Sequence, residues 1–72
     1  NNGDAPPAPP SVCNCYRIEC LNPYVEYSYI DCDGNSFWNL KPYTGPFYVS
    51  ASTKPEVPGG SSTLVSSSFC LI

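Results

Sequence analysis

From Cys15 to Cys20 the side chains alternate, with Tyr16, Ile18 and Cys20 at one parity and Arg17 and Glu19 at the other. A period of two predicts a strand with one buried face. Leu21-Asn22-Pro23 interrupts it, because Pro23 has no N–H for a ladder and restricts the residue before it. A longer strand is predicted from Tyr24 to Cys32, rich in tyrosine, valine and isoleucine. Asp33-Gly34 then falls between two β-rich runs, where a two-residue type I′ hairpin turn belongs. Such a turn sets a register of Cys32 opposite Asn35, Ile30 opposite Phe37, Tyr29 opposite Trp38 and Tyr27 opposite Leu40. One face of the hairpin would then gather Val25, Tyr27, Tyr29, Trp38 and Leu40, and the other would hold Ile30 and Phe37 among Ser28, Cys32 and Asn39.

After the turn-rich stretch 41–46, Phe47 to Ser52 reads as a fourth strand with Phe47 and Val49 on one side. A Pro/Gly loop over 54–60 follows. Ser61 to Ile72 begins polar and ends in Phe69-Cys70-Leu71-Ile72, so it is expected to close the sheet of its own molecule. No apolar period of a helix runs anywhere, and prolines sit in nearly every connection. The fold class expected is all-β: a small disulfide-stapled antiparallel sheet or sandwich of about five strands, over residues 13–72. Residues 1–12 are a different kind of sequence. Pro6, Pro7, Pro9 and Pro10 stand among small residues, which favours an extended polyproline conformation with little to bury. This segment is expected to be an assembly arm, lying along a sheet edge or groove of a neighbouring subunit.

Length changes what the strands can do alone, since a chain of 72 residues buries only about 60% of its unfolded surface and needs staples. Cys13, Cys15, Cys20, Cys32 and Cys70 supply them, and with no histidine in the chain a disulfide framework outcompetes a zinc site. Cys13 and Cys15 lie on the same side of an extended segment and cannot both bridge to one cysteine. The odd count leaves two bridges plus one spare thiol, or a bridge between chains. Extracellular or virion/cell-surface localisation is the compartment this implies.

A net charge of −3 argues against nucleic acid as a partner. No apolar run reaches the roughly 20 residues of a membrane span. The absence of methionine is expected to mean that the chain is processed or is a fragment.

Candidate chemistry is sparse. Without histidine a serine or cysteine nucleophile lacks its usual base, and Lys41 and Lys54 adjoin prolines in loops, so no catalytic residues and no enzyme are expected. Asp31-Cys32-Asp33-Gly34-Asn35 has the alternation of a calcium loop but lacks the distal glutamate, so neither a metal nor a cofactor is expected. Tyr27, Tyr29 and Trp38 are expected to be the core or a subunit interface of so small a domain, the alternative being a flat platform for stacking a sugar ring. The Ser/Thr-rich stretch from Ser50 to Ser68 reads either as O-glycan acceptors or as polar strand surface. Glycans, attached or bound, are thus candidate partners, although no Asn-X-Ser/Thr sequon is present.

The run Cys15-Tyr16-Arg17-Ile18-Glu19-Cys20, with Tyr27-x-Tyr29-x-Asp31-Cys32-x-Gly34 and the final Cys70, resembles small β modules of bacteriophage tail-fibre and other virion-surface proteins, and of bacterial surface proteins. The likeness covers residues 13–70, from which Cys20 and the loops at 41–46 and 55–60 depart. It implies a repetitive, extracellular, structural role and transfers no catalytic or ligand residue. The expected function is therefore a structural subunit of an extracellular filament, fibre or virion appendage, forming a homo-oligomer or polymer through its N-terminal arm and β-domain surfaces. A carbohydrate-binding or adhesion module with an exposed aromatic face is the alternative. A secreted cystine-rich inhibitor, presenting 41–46 or 54–60, is a third.

Overall fold

The computed structural model describes residues 13–71, so the expectations for the arm Pro6, Pro7, Pro9 and Pro10 lie outside the described residues. The strands are β1 (Asn14–Cys20), β2 (Tyr24–Ile30), β3 (Ser36–Pro42), β4 (Phe47–Ala51) and β5 (Gly60–Ser66). They form two antiparallel sheets, one of three strands in the order β4-β1-β5 and one a β2-β3 hairpin. The all-β, five-strand expectation holds.

β1 is central to the larger sheet because its alternation supplies a continuous apolar face. Tyr16 lies between Val49 and Leu64, and Ile18 between Phe47 and Ser62, so these side chains share the inner face. Ile18 and Val25 are fully buried and, with Cys20 and Tyr27, form the core; Tyr29, Tyr43, Phe47, Val49 and Val57 pack around it. Full burial of a side chain of this size contributes about 1.5–3 kcal/mol. The opposite parity of β1 behaves as predicted, with Arg17 and Glu19 forming a half-exposed pair at 3.5 Å on the outer face.

The hairpin corrects the predicted register by one residue. Ile30 pairs with Ser36, Tyr29 with Phe37, Ser28 with Trp38 and Tyr27 with Asn39. A type I′ turn needs positive φ at both central residues, and Asp33 does not adopt it; among the described non-glycine residues none does. Instead the turn is longer. Asp31 N–H donates to Asn35 O at 2.8 Å, Gly34 N–H donates to Asp31 O at 3.1 Å, and Gly34 takes a φ of 88°. The Asp31 carboxylate Oδ1 accepts from the N–H groups of Asp33 at 2.9 Å and Asn35 at 2.8 Å. Cys32 is therefore a turn residue, and β2 ends at Ile30. A slip of one residue exchanges faces: Phe37 joins Val25, Tyr27 and Tyr29 inside, while Trp38 and Leu40 move outside with Glu26 and Ser28.

The segment after β4 stitches the two sheets together. Ser52 N–H donates to Ile30 O at 2.8 Å, and Ser28 and Glu56 exchange a pair of backbone hydrogen bonds at 3.0 and 2.8 Å. The buried Ser62 hydroxyl donates to Pro55 O at 2.8 Å, fixing this strap to β5. Tyr43 N–H donates to Pro23 O at 2.9 Å and ties the far end of the hairpin to the β1–β2 turn. Past β5 the chain closes on its own molecule, as expected, through Cys70.

Candidate functional site

The disulfides pair Cys13 with Cys32 and Cys15 with Cys70, leaving Cys20 as a buried free thiol. The first fastens the start of β1 to the hairpin turn. The second draws the C-terminal segment over the outer face of β1, where Cys70 N–H also donates to Ser50 Oγ at 2.9 Å and Cys15 is left 2% exposed. Cys20 owes its place to parity, since it shares the inward face of Tyr16 and Ile18. Its Sγ accepts from Asn22 N–H at 3.3 Å and lies 3.6 Å from Tyr24 O and 3.7 Å from Gly59 O. A thiol so enclosed is not presented to another chain.

The aromatic set divides in two. Tyr27 and Tyr29 stack at 6.2 Å between the sheets, Tyr27 meets Phe47 edge-on at 5.0 Å, and Phe37 lies 5.1 Å from Tyr29. Lys41 Nζ sits 4.0 Å above the Phe47 ring, a cation–π contact that seals the cluster. Burial pushes the Tyr29 phenol above its ordinary pKa, and the neighbouring Tyr27 and Asp31 push in the same direction. Trp38 faces the other way. The alternative platform of Tyr27, Tyr29 and Trp38 is thus not assembled on one face, because it depended on the predicted register.

What the slip creates is a different surface. Along the outer face of the hairpin, Tyr24 is 60% exposed, Trp38 61% and Leu40 52%, with Pro42 also exposed opposite Tyr24. The Trp38 indole N–H donates to Glu26 Oε2 at 3.3 Å across the strands. Beside Trp38 opens a groove of about 530 Å³ whose floor includes Ser28, Ile30 and Ser36 and whose wall is Thr53, Lys54 and Glu56 of the strap. The sequence places Lys54 in a loop and Thr53 in a hydroxyl-rich stretch but does not bring them to Trp38; their placement follows from the backbone pairing of Glu56 with Ser28.

The arrangement suits binding by shape and apolar contact. An exposed indole with hydroxyls and a lysine around it can stack on a flat apolar ring and hydrogen-bond its substituents. Among the described residues no cluster of three or more His, Cys, Asp or Glu side chains converges as a metal site. Asp31, in the calcium-like stretch, spends its Oδ1 on the turn; the hydrogen bond from Asn35 N–H chiefly holds its carboxyl below the usual carboxylate range. Among the described residues no helix is long and apolar enough to cross a membrane. No family model, no curated protein and no solved structure matches this chain.

Proposed function

We propose that this chain is a non-catalytic structural subunit of an extracellular filament, fibre or virion appendage, assembling through its N-terminal arm and β-domain surfaces. The observation that carries the reading is the row Tyr24, Trp38 and Leu40, all more than half exposed on one side of the hairpin. A domain this small has few apolar residues, and a contiguous exposed apolar patch marks a surface that something covers. Two disulfides within the chain are compatible with an oxidising compartment outside the cell, and the resemblance to virion-surface modules points the same way. Sedimentation velocity over a concentration series, with negative-stain microscopy of the same samples, tests it. Oligomers or filaments that grow with concentration are expected; a monodisperse monomer at the highest concentration refutes the proposal.

The second reading is a carbohydrate-binding module in which Trp38 stacks on a sugar ring. The exposed indole beside a groove favours it, although Tyr27 and Tyr29 no longer contribute. It predicts that glycans change the Trp38 fluorescence and its quenching by acrylamide, and an unresponsive indole across a glycan panel disposes of it.

A further inference from the structure

We infer that the Trp38 groove is the receptor for the proline-rich segment Pro6 to Pro10 of a neighbouring copy, held as a polyproline II rod against the indole. This rests on the assembly reading above and names its contact. Proline-rich rods are recognised by aromatic-lined grooves, because the pyrrolidine rings present flat apolar faces and the conformation is already ordered before binding. Proline has no N–H, so such a segment cannot extend a sheet edge residue by residue and must lie on a face. Its free carbonyls need donors, and the groove offers the Lys54 ammonium and the hydroxyls of Thr53, Ser28 and Ser36.

Length agrees. Pro6 to Pro10 spans about 12 Å at the polyproline II rise of about 3.1 Å per residue. The outer row of β3 from Ser36 to Leu40, of which Ser36 and Trp38 line the groove, runs about 13 Å at about 3.3 Å per residue.

The short link to a fixed junction assigns the segment to a neighbour rather than to its own groove. Asn14 and Asp31 both pair with Ala51, so β1 begins where β2 ends, and the Cys13–Cys32 disulfide fixes that junction beside the hairpin turn. β1 then runs back along the domain. Only Ser11 and Val12 separate Pro10 from Cys13, and neither is a glycine or asparagine suited to a tight reversal. Each copy carries one proline-rich segment and one groove. A contact between unlike surfaces is heterologous, and unless the rotation closes into a ring it propagates as an open filament.

Trp38 is the sole tryptophan, so its fluorescence reports this groove alone. The experiment measures acrylamide quenching of the full chain across the concentration range followed by sedimentation. A variant with Pro6, Pro7, Pro9 and Pro10 all changed to serine is measured beside it, after its disulfides and circular dichroism are shown to be unchanged. The quenching constant of the parent is expected to fall about twofold as it assembles, because an anchoring indole is desolvated; the variant is expected to keep its dilute value and stay dispersed. Assembly of the parent with unchanged quenching overturns the groove assignment while leaving the assembly reading intact. Protection that is already complete at the lowest concentration and lost in the variant places the rod in its own groove and overturns the exchange between copies. No assembly of the parent at any concentration overturns both.

Discussion

The two sheets treat their outer faces in opposite ways. On the β4-β1-β5 sheet the outer face is largely polar, carrying Arg17, Glu19, Tyr48 and Thr63, yet the C-terminal segment is fastened over part of it by Cys15–Cys70. On the β2-β3 hairpin the outer face carries Tyr24, Trp38, Leu40 and Pro42 and is bare along most of its length, flanked only by the strap. Burial of apolar area alone would have placed the cover the other way round. The difference separates two purposes: one face is clamped for the stability of the single chain, and the other is left available for contact.

Removing the clamp gives the largest expected effect. Replacing Cys15 and Cys70 together by alanine opens a loop of sequence separation 55 and should cost about 4 kcal/mol by the chain-entropy relation. The matching change at Cys13 and Cys32 opens one of 19 and should cost about 3 kcal/mol on the same basis. Guanidinium unfolding of the two variants checks the order, and a larger loss at Cys13–Cys32 would mean that the hairpin, not the three-stranded sheet, carries the clamp.

Gly60→Ala should come next, at about 1–3 kcal/mol of overpacking, because a methyl group there would strike the backbone oxygen of Glu19 and the Val57 side chain. Thermal unfolding should show it as a lowered Tm, while Gly34→Ala, which meets nothing nearby but sits at a φ of 88°, should lose less.

Acid should act on the hairpin side. The folded pKa of Asp31 lies below its unfolded value, so its contribution is present above the unfolded pKa and is lost as pH falls through the folded one. Tm should therefore decline on acidification through the carboxylate range, and Asp31→Asn should flatten that part of the profile. A variant with the parental acid profile would show that the turn is held by its backbone alone. The smallest effect belongs to Trp38→Ser, which should change the stability of the isolated chain by no more than about 0.5 kcal/mol while weakening self-association. A collapse of stability there would make Trp38 a core residue and erase the contrast between the faces.

What was legible in the sequence is what repeated burial writes into it. Tyr16, Ile18 and Cys20, and then Phe47 and Val49, lie inward as their parity requires, because β1 and β4 have one face against a core. The hairpin register was not legible, since Asp33-Gly34 suits two turn lengths and the choice was made elsewhere. Cys32 is held in the turn by Cys13, and the Asp31 carboxylate gathers two N–H groups. That one residue decided which face received Trp38, and with it the content of the candidate site. Disulfide pairing was likewise closed to spacing arguments, although the inward parity of Cys20 already marked it as unlike Cys15. The docking of Thr53, Lys54 and Glu56 beside β2 was not legible, because it uses backbone groups common to every residue.

The enclosure of Cys20 has a kinetic consequence. While β1 is packed, its sulfur is buried, and the two native pairings persist. When the chain opens, the same thiol becomes an attacking group, and thiol–disulfide exchange can pass its partner-less state to any of the other four cysteines. Heating above neutral pH should thus end in a mixture of connectivities, whereas heating in acid, where the thiolate is scarce, should be reversible. The order of strand packing in this chain acts as the guard on its own covalent pattern.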